Sequence, residues 1–285
     1  MRGDHLSRSQ VVRNFERVAG TYDGNEAVFS GPIADRLIQV SGIRPGDRVL
    51  DVGCGTGSAL VRAAAAAAWP GGEVTGVDFS PAMLAVARDR AERAGLDGIE
   101  LVVGDAEDPP DPPCGEGSFD RVIASLVFFL LPHPAGAARR WLDLLRPGGT
   151  TTLSWNVSED PAWAPVLAMA DRHVPPGFPR FGQLVRHWPL GSVAELEGML
   201  AECGYTDITT VTEDIRSRYP SPAAWWEFSW SRACRISWQH IPGDRLPAIR
   251  AEVLALLDRQ RDPADGSVTR TIRFGWTSAR RGRQQ

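Results

Sequence analysis

The segment Val49–Gly57, reading V-L-D-V-G-C-G-T-G, constrains this chain more than any other. An apolar run bounded by turn residues reads as a buried strand. It ends in three glycines at alternate positions, Gly53, Gly55 and Gly57, and an alanine-rich helical stretch follows directly. Glycines let a turn adopt positive φ and let main chain approach a ligand without a side chain between them. The helix that begins there aims its free N–H groups at the same place. A strand, a glycine turn and a helix in this order form a cradle for a nucleoside-bearing cofactor.

The elements around it repeat the alternation. Strands are expected at Arg48–Val52, Glu73–Asp78, Ile99–Val103, Arg121–Ser125 and Thr150–Trp155. Helices fall between them at Ser58–Trp69, Ser80–Ala94 and Ala135–Leu145, the second with Ser80 as N-cap and Pro81 at its first position. Such alternation predicts an α/β fold with a doubly wound, Rossmann-like sheet. Before it, Val11, Phe15, Val18 and Tyr22 share one face of a helix over residues 6–22, and a second helix covers Gly31–Ser41. After it, residues 158–190 lose periodicity and read as an insertion, and Val193–Cys203 reads as a helix. Thr206–Tyr219 then reads as a strand, Ala223–Gln239 and Asp244–Arg259 as helices, and Ser267–Trp276 as a closing strand. The 285 residues therefore read as one domain, with residues 1–30 as an N-terminal lid and residues 158–190 and 221–262 as cap insertions.

In a doubly wound sheet the ligand sits beyond the carboxyl ends of the strands. Asp78 ends the second strand, where an acid accepts hydrogen bonds from ribose hydroxyls. Gly104-Asp105-Ala106 ends the third, where a carboxylate meets an adenine amino group. A nicotinamide site also uses a glycine turn with a later acid, but its third glycine stands where this chain has Ser58. The net charge of −4 supplies no global basic field for nucleic acid. The one basic cluster, Arg280, Arg281 and Arg283, reads as a frayed tail. All 31 basic residues are arginine, which excludes Schiff-base and P-loop lysines. No 18-residue apolar run or signal segment is present, so a cytoplasmic protein that neither spans nor anchors to a membrane is expected. The five His and four Cys have no metal-ligand spacing, and no metal is expected.

Val49–Gly57, Val77-Asp78-Phe79-Ser80-Pro81-Ala82-Met83-Leu84, Gly104-Asp105-Ala106-Glu107 and Leu145-Arg146-Pro147-Gly148-Gly149 together resemble the class I S-adenosylmethionine-dependent methyltransferases. The similarity is to the small-molecule branch that includes ubiquinone/menaquinone-type and natural-product enzymes, over roughly residues 15 to 156. The resemblance implies S-adenosyl-L-methionine as cofactor, S-adenosyl-L-homocysteine as product, and a mostly parallel sheet with an antiparallel last strand. Asp51, Gly53 and Gly55 would cradle the cofactor's amino-acid part, with Gly57 allowing close approach. Asp78 would bind ribose, Phe79 and Met83 would sandwich adenine, Asp105 and Ala106 would meet its edge, and Ser125 would face the methionine moiety. Tyr22 would close over the cofactor from a lid.

Related enzymes often carry a His after the fourth strand, whereas this chain reads Leu126-Val127-Phe128-Phe129-Leu130-Leu131. That favours a carbon acceptor, or one already reactive, over an alcohol needing deprotonation, with His173 and His187 as reserve bases. Trp225, Trp226, Phe228 and Trp230 crowd one helix too tightly to face one way. A pocket, a second subunit or the lid must meet some of them. The expected substrate is a large hydrophobic or aromatic secondary metabolite of polyketide, alkaloid or isoprenoid type, and a homo-oligomer is allowed. A methyltransferase fold with an added cyclisation or other non-methylating step is the alternative, and a nicotinamide oxidoreductase a more distant one.

Overall fold

A computed structural model of the chain describes residues 8–68, 71–111, 117–182 and 191–283. Seven strands form one sheet in the order β3-β2-β1-β4-β5-β7-β6. They are β1 Arg48–Val52, β2 Glu73–Asp78, β3 Ile99–Val103, β4 Phe119–Ser125, β5 Leu145–Glu159, β6 Tyr205–Tyr219 and β7 Val268–Arg281. The first five pair in parallel, and β7 runs antiparallel between β5 and β6. The strand order reverses between β1 and β4, so the crevice for a ligand opens at the carboxyl ends of those two strands.

The helices are α1 Arg8–Val18, α2 Ser30–Ser41, α3 Ser58–Ala67, α4 Pro81–Arg93, α5 Pro134–Leu144 and α6 Ala164–His173. There follow α7 Val193–Glu202, α8 Pro222–Trp230, α9 Arg235–Trp238 and α10 Leu246–Asp258. A 3₁₀ segment, Ala19–Val28, joins α1 to α2. One core cluster joins α5 and α7 to the sheet through Trp141, Leu144, Leu153 and Leu196. The other joins α2 and α3 to it through Ile33, Leu37, Leu60 and Trp276. Trp276 is fully buried and its indole N–H donates to the Ile33 carbonyl at 3.0 Å, which ties β7 to α2. Truncating such a side chain to Ala costs about 3–5 kcal/mol.

Residues from both insertion segments pack into a third cluster, where Trp163, Val166 and Met169 meet Trp225, Trp238 and Val253 over the far ends of β6 and β7. The fourth cluster is small: Phe15, Val18 and Ala19 of the N-terminal segment pack on Met83 of α4. Several boundaries differ from those read in the sequence. β7 continues to Arg281, so the C-terminal arginines are not a frayed tail. Arg280 bonds Asp207 at 3.1 Å, and the Arg281 guanidinium caps the end of α5 by donating to the carbonyls of Leu142, Asp143 and Leu145. The helix read over Ala223–Gln239 breaks at Ser231–Cys234 into α8 and α9, because the Ser231 and Ser229 hydroxyls bond back to carbonyls three residues earlier.

Candidate active site

At the end of β1 the chain takes positive φ at Gly53, Gly55 and Gly57, at 66°, 55° and 85°. A Cβ on Gly53 would lie 2.5 Å from the Val127 methyl, so the turn packs directly against the segment after β4. A Cβ on Gly55 would meet nothing within 4 Å, and Gly55 lines the crevice. A Cβ on Gly57 would instead lie 3.1 Å from the Ala87 Cβ. Gly57 lets α3 approach α4 and is not part of the crevice lining. The three glycines thus do three different things.

Asp78 holds the turn. Its carboxylate accepts from the Gly55 N–H at 2.9 Å and from the Ser80 N–H at 2.9 Å, while the Ser80 hydroxyl caps α4 by accepting from Met83. Burial pushes the Asp78 carboxyl up from the ordinary range, and these two hydrogen bonds pull it back in part. Asp51 is wholly buried beneath the turn, with neither carboxylate oxygen partnered among the described residues. Burial, reinforced by the nearby charge of Asp78, raises its carboxyl well above the usual range.

Gly53, Gly55, Asp78, Phe79, Met83, Asp105, Ala106, Ser125 and Tyr22 all line this crevice; Asp51 and Gly57 do not. Trp141, fully buried on α5, fixes its far wall by donating its indole N–H to the Ala106 carbonyl at 2.8 Å. The set suits a nucleoside cofactor: acids at two strand ends, apolar Phe79 and Met83 between them, and main chain without side chains below. An unpartnered buried carboxylate beneath the turn fits a ligand that brings a positive charge. Residues 8–28 lie along the crevice, with Val11, Phe15 and Tyr22 in its lining. Arg90 of α4 makes ion pairs with Asp23 (2.6 Å) and Glu26, Thr56 donates to Asp23 at 2.5 Å, and Ser58 to Glu26 at 2.9 Å. This segment is therefore latched to the helices that flank the glycine turn.

A second cavity of about 440 Å³ adjoins the first. The two share Phe15, Tyr22, Leu126 and Leu130 as a common wall. Leu126, a non-glycine residue at φ 58°, is held there by its N–H donating to the Ser154 hydroxyl at 3.1 Å. Strain of this kind, about 1–3 kcal/mol, concentrates at functional sites. Phe129, in the place where related enzymes often carry His, lines the second cavity, as do Trp225, Phe228 and Trp238. Its one carboxylate, Glu159, is ion-paired with Arg270. His173 ends α6 and lines neither cavity. His187 lies outside the described residues.

Arg232 escaped the sequence reading, where it was one arginine among 31. It is only 6% exposed, and its guanidinium carbon sits 4.5 Å from the Tyr22 ring centre and 5.2 Å from those of Phe29 and Phe228. An arginine in the middle of an aromatic-rich helical segment was the available signal. Among the described residues no cluster of His, Cys, Asp or Glu able to hold a metal ion occurs, and no helix is long and apolar enough to cross a membrane.

Comparison with known proteins agrees with this geometry. Residues 49–149 match the model of a methyltransferase domain. The chain is 34% identical over 277 residues to the nocamycin O-methyltransferase of Saccharothrix syringae, covering 93% of this chain and 96% of that one. It is also 34% identical over 219 residues to the aklanonic acid methyltransferase DauC of Streptomyces sp. (strain C5), covering 73% of this chain and 97% of that protein. The crystal structure of the 4+2 cyclase SpnF shares the fold, with a TM-score of 0.58, 23% identity, and coverage of 96% of this chain and 94% of that one. The nicotinamide reading that the glycine turn first allowed is thereby set aside, and the cofactor is S-adenosyl-L-methionine. The chain belongs to the class I S-adenosylmethionine-dependent small-molecule methyltransferases.

Proposed function

We propose that this enzyme O-methylates a large, apolar natural product whose accepting oxygen is ionised before transfer. The contiguity of the two cavities carries this reading: a glycine-floored crevice and an aromatic chamber meet across Phe15, Tyr22, Leu126 and Leu130. The cofactor supplies an electrophilic methyl on a sulfonium, and the chain's part is to orient the acceptor and exclude water. Gly53 and Gly55 would hold the amino-acid end, Asp78 the ribose, Phe79 and Met83 the adenine faces, and Asp105 with Ala106 its edge. Asp51 lies beneath and would answer the charge of the cofactor's amino group. Tyr22 and the latched segment before α2 would act as the lid.

In the aromatic chamber the one carboxylate, Glu159, is engaged by Arg270, and among the described residues no His lines either cavity. An acceptor that needs no deprotonation fits this site. The sequence alone favoured carbon on the same reasoning. The relative that aligns along nearly the whole chain, cap segments included, carries the name O-methyltransferase, which tips the reading to oxygen. The chamber's aromatic lining supports a polyketide-like substrate over a small polar one. Turnover of S-adenosylmethionine bearing a ¹³C methyl, with a panel of hydrophobic polyketide acids and phenols, tests it. An O-methyl carbon resonance in the product supports the proposal, and a C-methyl resonance or turnover of only small polar acceptors overturns it.

A further inference from the structure

The second cavity carries an imbalance of charge. Two of its lining residues are cations, Arg232 and Arg270, and one is an anion, Glu159. Glu159 is committed to Arg270. Arg232 is left without a carboxylate among the described residues, though a guanidinium this deeply buried normally has one. Its Nη2 donates to the Ser30 hydroxyl at a long 3.5 Å, and its Nε and Nη1 are buried with no acceptor. Two other lining residues, Trp225 and Trp238, also have indole N–H groups buried without acceptors.

Unpaired N–H groups in an apolar enclosure are costly, and an unpaired charge more so. Three aromatic faces around Arg232 offset part of that cost by cation–π contact, and they hold the guanidinium at the wall shared with the cofactor crevice. What these groups lack is a negatively charged oxygen. A planar guanidinium pairs with a carboxylate through two parallel hydrogen bonds, the strongest such contact available to it.

We propose that Arg232 is the anion-recognition residue of the substrate chamber, and that the substrate is a hydrophobic acid whose carboxylate docks on its guanidinium. This deepens the reading given under the proposed function and rests on it for the identity of the chamber. Recognition by Arg232 selects the ionised form of the acid, which requires no base. A neutral ester has no charge to offer Arg232, so product is held less tightly than substrate.

Calorimetric titration of the S-adenosylhomocysteine-saturated enzyme with 2-naphthoate and with the neutral, nearly isosteric 2-naphthamide tests this. The expected result is naphthoate binding at least tenfold tighter than the amide, a preference abolished in Arg232→Met and partly restored in Arg232→Lys. Naphthamide affinity should stay within threefold of wild type in both variants. Equal affinity of the two probes for the wild type, binding of neither, or a preference that survives in Arg232→Met overturns the proposal. The wild-type comparison decides it even if a variant folds poorly. Because no methyl is transferred in the titration, an acceptor atom other than oxygen leaves this result intact and registers only in the ¹³C product.

Discussion

Replacing Gly55 and Gly57 singly with alanine separates two roles that look alike in the sequence. Both glycines sit at positive φ, 55° and 85°, where an L-residue costs roughly 1–2 kcal/mol. Beyond that shared cost they part. The alanine methyl at position 55 meets nothing within 4 Å and enters the cofactor crevice. At position 57 it lies 3.1 Å from the Ala87 Cβ and 3.2 Å from its Cα, so a helix backbone must shift. Overpacking of that kind adds about 1–3 kcal/mol. At roughly 2–4 °C per kcal/mol for a chain of this size, Gly55→Ala should lose a few degrees in Tm and Gly57→Ala several degrees more. Calorimetric binding of S-adenosylhomocysteine should show the reverse order. Gly55→Ala should lose tenfold or more, about 1.4 kcal/mol, while folded Gly57→Ala stays within threefold of wild type. If Gly55→Ala binds like wild type, or if the two variants melt together, the division of roles is wrong.

Three further outcomes follow from the latch, the lid and the crevice wall. Burial raises the Glu26 carboxyl, but hydrogen bonds from Arg90 and Arg62 outweigh it and hold the group below its ordinary value. The stability it contributes is therefore present above the unfolded pKa and lost as pH falls through the folded one. Melting curves at pH 7 and in that acid range should show a wild-type advantage over Glu26→Gln of no more than about 1 kcal/mol, present only at the higher pH. Tyr22→Phe keeps the ring that faces Arg232 and divides the cavities, so its kcat/KM should stay within threefold. Tyr22→Ala opens the wall and should lose tenfold or more, about 1.4 kcal/mol in steady-state assays. Trp141→Phe leaves the Ala106 carbonyl without its indole donor. Denaturant unfolding should register about 1–3 kcal/mol of lost stability, and cofactor affinity should fall with it.

The cofactor half of the molecule was legible because its chemistry is local. Glycines at alternate positions, a capped helix after Asp78 and an acid after β3 are each written within a few residues. The family resemblance then joined them in order. Roles that depend on distant partners were not legible. Gly57 packs on Ala87 and Gly53 on Val127, and nothing in the turn itself says which glycine faces the ligand. The C-terminal arginines looked like a tail because their partners, Asp207 and the end of α5, lie 73 and more than 130 residues away. The crowding of Trp225, Trp226, Phe228 and Trp230 was visible, and its resolution was not. Trp225 and Phe228 face the chamber, whereas Trp226 packs against Trp230 and Trp238.

The wall between the cavities explains why the chamber resisted reading from sequence and why it suits an acid. Phe15 and Tyr22 come from the N-terminal segment, Leu126 and Leu130 from the turn after β4, and Arg232 behind Tyr22 from the break between α8 and α9. No short motif spans them. Yet Phe15, Tyr22, Leu126 and Leu130 belong to both linings, and Arg232 stacks on the Tyr22 ring. A ligand that draws Arg232 toward itself acts on the face of Tyr22, and Tyr22 belongs to the segment latched by Asp23 and Glu26 over the glycine turn. Ligands in the two chambers would therefore meet the same side chain, and any coupling free energy between them must be the same measured from either ligand. The loop after β4 supplies a strained Leu126 to that wall and apolar Phe129 to the second cavity. Leu126 belongs to the lining of both cavities, and under the proposed function the charge needed for chemistry would enter with the substrate.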